Sequence, residues 1–580
     1  MFTSLFKKRG NIVFLLVVLI SAFAFRVTNL DLIEFKTDEA INLFLSLRPL
    51  LGYSFPPGGT VSSIGILNPP LFNYLLFPMV AVSADPRFIS FLIAVINSIS
   101  IAALFLIIRR YYSATLAFVT AILMAFSPWA IIYSRKIWMQ DLLVPFFVIM
   151  FLSIHKLLVE KKQIYWILFV LSSLFLIQLH QTSIVFIFPI TLFLIIKKVK
   201  LNPKFIFIGL MLGLIPLIPY ISYEIINRCP DCSVFFSSGK KLNIYHLSIL
   251  ERPFQILGQG DFRSEMGDSI GTFSKNFPLA YKLRSILYVE YFLLPLGLLF
   301  FIKRYKKFSF FAYAAIAIPF LYFLLKIEAF MHYYIIILPL LFLFLASSFE
   351  YFLDKKNKLL KYSATTLLII LVAISILFDY SFFSFIKHQG HLNGDYGSTF
   401  AASIKENNLN TISEKNLSNF IPIRYMLGYQ PLGKMLYGNV SAEDLPTLEK
   451  KLNADPNDLL TQYALISFYT KTPETPKTIN ILKAKSSSLS SYAPIYKEVY
   501  EHYLSANFKK EYKFGSHSFF YPEHWLVKED NDTLLLRGDG YSVIIKNLGF
   551  QNMSVNCIDG ERKCNSKTIS EIIDTIGPIY

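Results

Sequence analysis

Asp38 and Glu39 are adjacent acids in the stretch Arg26-Val-Thr-Asn-Leu-Asp-Leu-Ile-Glu-Phe-Lys-Thr-Asp-Glu-Ala40, which follows directly on the first apolar run of the chain. An ionised side chain just beyond a membrane boundary needs a partner or a task. A carboxylate there can take the proton of a hydroxyl as that oxygen attacks an electrophile. The same pair can also cap the amphipathic helix expected from Glu39 to Leu47, or hold a divalent ion, although no complete ligand set is visible and the metal is unknown.

Other side chains could join that chemistry. Arg87, Arg135 and Lys136 suit a phosphate whose charge grows as it leaves, against the plainer reading that cations at span ends snorkel to headgroups. His332 could bind phosphate or sugar, and Tyr333 belongs by default to the aromatic belt. Glu224 and Glu290 sit near or within apolar runs, where an acid is a functional candidate, and His180 lies between Gln178 and Gln181 and could face the same cavity. Cysteine falls in two local pairs, Cys229 with Cys232 and Cys557 with Cys564, read as disulfide candidates. A redox or half-zinc reading of Cys229-Pro-Asp-Cys232 lacks a second such motif or a histidine pair.

These residues must be positioned by membrane helices. Of 580 residues 54% are hydrophobic, 16% are charged and the mean hydropathy is +0.48, far from a soluble domain. The net charge of +17 is spread as short clusters between apolar runs, which read as topology signals and not as a nucleic-acid stripe. Apolar runs from Ile12 to Phe25, Phe88 to Ile108, Ala114 to Ile132, Leu142 to Leu158, Ile164 to Leu179, Ile184 to Ile196, Phe205 to Ile225, Leu283 to Ile302, Phe308 to Leu325, Tyr333 to Phe352 and Ser363 to Phe383 give about eleven spans. The basic turns at Arg109-Arg110, Lys161-Lys162, Lys197 to Lys204, Lys303 to Lys307 and Lys355 to Lys361 then share one side, taken as cytoplasmic along with Lys7, Lys8 and Arg9. A cleaved signal peptide ending near Ala22-Phe23-Ala24 is the alternative to a retained first helix, which is favoured because many spans follow. Asn68-Pro69-Pro70 interrupts the run Ile64 to Val82, expected to be re-entrant or interfacial.

The expected organisation is an all-α polytopic membrane domain over residues 1–386, with external loops of about 26–87 and 226–282, and an extracytoplasmic α+β domain over 387–580. In the latter, Ser441-Ala-Glu-Asp444 resembles a capping box. Asp458 to Tyr469 and Ser491 to Tyr503 have helical periodicity, and Ser518 to Tyr521, Thr533 to Leu536 and Tyr541 to Lys546 read as strands.

Taken in order, Arg26 through Asp38-Glu39-Ala40, Asn68-Pro69-Pro70-Leu71, Arg87, Ser127-Pro128 leading to Ser134-Arg135, Pro219-Tyr220 leading to Tyr223-Glu224, His332-Tyr333-Tyr334 with Pro339, and Gly394-Asp395-Tyr396-Gly397 resemble the pattern of GT-C glycosyltransferases. The similarity is to the branch of protein O-mannosyltransferases and lipid A aminoarabinose transferases, over roughly residues 10 to 400. The resemblance implies Asp38 as general base with Glu39 beside it. It also implies a sugar arriving on a polyprenyl phosphate, inversion in one step, and an acceptor that is a glycolipid, a polysaccharide or a protein. It raises the claim of His332 and Tyr333 on the donor, and gives Asn68 a position that often holds His.

The chain departs from the pattern at Ala40-Ile41-Asn42, where Arg and Tyr are usual, and it lacks an external trefoil-type domain; donor sugar and acceptor stay open. The expected location is the plasma or inner membrane, with an external C-terminal domain. The rival readings are a transporter or flippase for lipid-linked sugars, against which stands the absence of evident internal symmetry, and a non-catalytic surface assembly protein.

Overall fold

The computed structural model describes residues 8–51, 55–62, 65–232, 234, 247–258, 262–327, 329–402, 445–454 and 485, and the strand residues between 510 and 578. It divides into two compact units, Met1–Tyr425 and Met426–Tyr580. The first is helical and runs beyond the expected boundary at 386. Its last long helix spans Lys358–Gln389, and residues 390–402 fold back to pair with the segment around Glu34.

Among the described residues, seven helices are long and apolar enough to cross a membrane: Pro86–Tyr111, Met139–Leu158, Pro203–Ile226, Pro278–Arg304, Lys306–Leu324, Met331–Leu353 and Lys358–Gln389. Five shorter apolar helices accompany them. The chain is a multi-pass integral membrane protein. Several expected spans are remodelled by local chemistry. The run Ala114 to Ile132 is two helices, α5 (Ala114–Phe126) and α6 (Pro128–Ile132), because Pro128 cannot continue the first while Ser127 caps the second by accepting from the Ala130 N–H at 3.4 Å. The run Ile64 to Val82, expected to be re-entrant or interfacial, yields α3, Leu71–Val82, which begins immediately after Pro70.

The first helix, α1 (Lys8–Val27), packs against α4 (Pro86–Tyr111) and α5. Arg26 closes that contact. Its buried guanidinium donates to the carbonyls of Met124 and Ala125, orphan acceptors where α5 ends, and to that of Ala130 in α6, at 3.0–3.2 Å.

Charged residues gather at two ends of the bundle. At one end Arg110 meets Glu160 at 2.7 Å, Arg304 meets Asp354 at 2.6 Å, and Glu350 accepts from Ser113 and Tyr305. These are the expected cytoplasmic turns, brought together. The other end holds the chain from Glu34 to Glu39.

That second end is fastened by backbone. Gly390, with φ +71, ends the long helix. The chain then pairs Glu34 with Thr399, with the Phe35 N–H donating to Ser398 at 3.0 Å and the Phe400 N–H to Ile33 at 2.9 Å. The Asp395 N–H donates to Ser264 at 2.7 Å and the Tyr396 N–H to Glu265 at 3.1 Å. Gly394 allows this clasp, since a Cβ there would collide with the Gly267 nitrogen and stand 2.5 Å from the Glu265 carbonyl. Gly394→Val should therefore destabilise the unit by about 1–3 kcal/mol through overpacking. A thermal unfolding midpoint equal to wild type would contradict this.

In the second unit, a helix Leu445–Ala454 follows the expected capping box. All strand pairs are antiparallel, in a sheet of order β1–β2–β7 and another of order β3–β4–β5–β6. Here β1 is Lys510–Phe514, β2 His517–Tyr521, β3 Leu526–Asp530, β4 Thr533–Gly538, β5 Tyr541–Asn547, β6 Met553–Ile558 and β7 Gly577–Pro578. The three expected strands lie in β2, β4 and β5. The expected helices Asp458 to Tyr469 and Ser491 to Tyr503 lie outside the described residues, as do Cys564 and the side chain of Cys557.

Candidate active site

Helix α2, Thr37–Leu47, sets the geometry of the acid pair. Glu39 is 1% exposed, and its carboxylate accepts from the Lys36 N–H at 3.0 Å, so this acid does the capping. Asp38 is exposed and makes no hydrogen bond or ion pair among the described residues. The two acids therefore divide the readings that the sequence left open, with Glu39 placed to hold the helix and Asp38 available to a ligand.

Around them lies a charge network drawn from four parts of the chain. Glu34, 3% exposed, pairs with the buried Lys136 and with Lys36 at 2.6 Å. Lys136 also faces Glu265 at 3.7 Å, and Glu265 accepts from the Tyr133 hydroxyl at 3.2 Å. The Lys36 ammonium donates to the Asp395 carbonyl, and the Tyr396 hydroxyl to that of Leu32. Two carboxylates and two ammoniums balance, which is what burial of such groups requires.

The protonation equilibria follow from these contacts. Burial pulls the Lys136 ammonium towards losing its proton, but Glu265 and Glu34 outweigh it and carry it well above the ordinary lysine value. Burial, joined by repulsion from Glu34 and Asp38, pushes Glu39 up to about 8. The crowded cleft costs Asp38 some hydration despite its exposure, and this raises it; Lys36 pulls it down, Glu34 pushes it up and Lys136 pulls it down. A base works only when deprotonated, so activity should climb as pH rises through the raised Asp38 value. Lys36→Met removes a stabilising cation and should move the acid limb of kcat/KM to higher pH. A limb that stays put or moves down would contradict this placement of Lys36.

Beyond Lys136 stands an aromatic group. Its ammonium lies 5.0 Å from the Tyr133 ring centroid, 5.5 Å from Trp138 and 5.8 Å from Tyr396. Trp138 meets His332 at 4.8 Å, and His332 meets Tyr333 at 4.7 Å and His180 at 5.7 Å. Lys136, His180, His332 and Tyr333 are thus in one neighbourhood.

The remaining candidates are elsewhere. Arg87 pairs with Asp85, the N-cap of its own helix, at 2.7 Å and with Asp31 at 3.3 Å. Arg135 is 2% exposed beneath the site, donating to Asn29 at 2.6 Å and lying over Phe383, so its guanidinium holds the loop from within. Asn68 donates to the Thr60 carbonyl at 2.9 Å. Glu224 accepts at 3.3 Å from the N–H of Asp231, which sits in the loop closed by the Cys229–Cys232 disulfide and also takes the Tyr220 hydroxyl at 2.7 Å. Glu290 is 2% exposed in the helix Val289–Arg304, away from the network.

Sequence reading passed over Glu34, Lys36, Trp138 and Glu265. Glu34 and Lys36 were legible as a charged alternation beside the acid pair, whereas nothing local marks Glu265. No group of three or more His, Cys, Asp or Glu among the described residues is arranged to hold a metal ion.

Residues 68–223 match the family model for dolichyl-phosphate-mannose-protein mannosyltransferases. The chain resembles a GT-C membrane glycosyltransferase. No curated protein matches the sequence. Among solved structures, ArnT from Cupriavidus metallidurans bound to undecaprenyl phosphate aligns at 12% identity over 85% of this chain and 85% of that one, with a TM-score of 0.41. The Archaeoglobus fulgidus oligosaccharyltransferase in its apo form aligns at 12% identity over 72% of this chain and 60% of that one, with a TM-score of 0.43.

Proposed function

We propose that the protein transfers a sugar from a polyprenyl phosphate to an acceptor hydroxyl on the extracytoplasmic face of the membrane, with inversion at the anomeric carbon. The observation that carries this reading is the Asp38 carboxylate, exposed and without a hydrogen bond or ion pair among the described residues, beside the Lys36–Glu34–Lys136 network, at the end of the bundle opposite the basic turns. The matched family is named for a prenyl-phosphate donor.

Asp38 takes the acceptor proton as its oxygen attacks the anomeric carbon. The bond to the phosphate oxygen breaks, the electron pair stays on phosphate, and Lys36 and Lys136 balance the charge that gathers there. Lys36 is about one-third exposed, at 36%, and can turn from Glu34 to the phosphate, while Lys136 acts from behind. Arg87 guides the headgroup at the rim. Arg135 supports the loop that carries Lys136. The second unit would then lie outside the membrane, where it can meet a glycolipid, polysaccharide or protein acceptor.

Purified full-length protein in lipid nanodiscs, given a panel of polyprenyl-phosphate sugars with water or an added alcohol as the acceptor hydroxyl, should release bare polyprenyl phosphate with at least one of them. Movement of intact donor across sealed vesicles without any loss of its sugar would replace this reading with that of a flippase.

A further inference from the structure

The corner of the bundle where α4 ends gathers positive charge well beyond what its one carboxylate balances. Residues 109–113, 156–165 and 197–204 form three turns with nine lysines and arginines and a single acid, Glu160. Three of those cations converge on that acid, Arg110 at 2.7 Å, Lys156 at 2.9 Å and Lys162 at 3.2 Å, and the Tyr111 hydroxyl donates to it at 2.6 Å. The Trp166 indole donates to the Lys200 carbonyl at 3.0 Å, which ties the third turn to the second. Helix α4 runs from Arg87, beside Asp31, to this corner, so the cluster lies at the far end of the bundle from Asp38.

One carboxylate cancels one of the three converging charges and leaves two. Orientation in a bilayer requires basic residues on one side. It does not require that they meet, and like charges held around one point repel. These are nevertheless held: the Arg110 guanidinium lies 5.6 Å from the Tyr111 ring centroid and the Lys156 ammonium 5.7 Å from that of Tyr165. The Arg110 and Lys162 side chains are 61% and 55% exposed, so both heads stay reachable from the membrane surface. The flank of the cluster is apolar. Leu106 and Ile99 precede Arg110 by four and eleven residues, on the same face of α4, and both are exposed. Ile149, exposed and seven residues before Lys156, lies on the helix Met139–Leu158, which packs against α4. Paired cations at the head of an aliphatic face match a phosphate ester that carries hydrocarbon chains.

We propose that Arg110, Lys156 and Lys162 form a headgroup site for an anionic phospholipid of the bilayer, with the lipid phosphate between Arg110 and Lys162 and its acyl chains along Leu106 and Ile149. Glu160 presets the cluster by gathering the three cations, and Lys156, 12% exposed, fixes its inner side. The phosphate then balances the charge that Glu160 leaves. This lipid is bound as a structural component at the end of the bundle remote from Asp38, so the site is separate from the sugar transfer proposed above and stands without it.

Full-length protein in detergent, titrated with phosphatidylglycerol, phosphatidylcholine or inorganic phosphate and read by native mass spectrometry, tests the site. Wild type should hold phosphatidylglycerol about thirtyfold more tightly than phosphatidylcholine, the worth of two uncompensated cations at a membrane surface, and inorganic phosphate should not displace it. Arg110→Gln combined with Lys162→Gln should abolish the preference, and Lys162→Gln alone should reduce it about fivefold. Lys356→Gln combined with Lys358→Gln removes the same charge from another basic turn and should leave the preference intact. Unchanged phosphatidylcholine binding and an unchanged thermal midpoint show that a variant is folded; if the double variant at the site melts early, the exposed Lys162→Gln decides. Three results would overturn the proposal. They are no preference in wild type, an equal loss in the Lys356 and Lys358 variant, which would make the effect one of net charge, and displacement by inorganic phosphate, which would make the site one for a soluble anion.

Discussion

Asp38→Asn should lower kcat by about 10²–10⁴-fold, the range expected when a positioned general base is lost. The amide matches the carboxylate in size but cannot accept the acceptor's proton. Asp38 is exposed and has no ion pair or hydrogen bond among the described residues, so the substitution removes no contact that holds the fold. Donor affinity and thermal stability should therefore stay near wild type while turnover collapses. The acid limb of the residual kcat/KM profile should also disappear, because the group that titrates there is gone. A variant that keeps wild-type kcat would remove Asp38 from the chemistry. A variant that loses donor binding in proportion would make it a binding residue instead. Glu39→Gln offers the contrast: Glu39 accepts the Lys36 N–H at 3.0 Å, and a glutamine can keep that hydrogen bond.

The second large effect concerns stability. Glu34→Ala should cost about 3–5 kcal/mol, because breaking a buried pair from one side strands the partner's charge. Lys136, 4% exposed, would be left with Glu265 at 3.7 Å, and Lys36 would lose its 2.6 Å partner. The thermal midpoint at fixed scan rate should fall well below that of Asp38→Asn. Adding Lys136→Met and Glu265→Gln to Glu34→Leu should recover part of the loss, since the stranded Lys136 charge and the carboxylate facing it are then both gone, yet turnover should not return. A Glu34→Ala variant that melts with wild type would mean that water reaches Lys136 and that the network contributes little, as exposed pairs do.

Some features are legible in the sequence itself. Apolar length and the spacing of basic clusters announced a multi-pass bundle, because the bilayer imposes a minimum run of residues and an orientation rule that act locally on the chain. The strands of the second unit announced themselves by short β-branched and aromatic runs bounded by turns. Asp38-Glu39 stood out because adjacent acids beside a hydrophobic helix are costly without a use.

Tertiary structure decided which acid is available and what surrounds it. Thr37-Asp38-Glu39 is consistent with either acid as the cap, and only the Lys36 N–H to Glu39 contact separates them. Arg135 and Lys136 are neighbours of the same charge in sequence, yet one lies beneath the loop and the other in the network. Glu265 reaches Lys136 because Gly267 and Gly394 let two backbones touch that are remote in sequence. Hydropathy and charge spacing follow from what each residue would lose or gain in water and lipid, so composition records them. Partners in a buried network are chosen by distance after folding, and distances between remote segments are not written in local order.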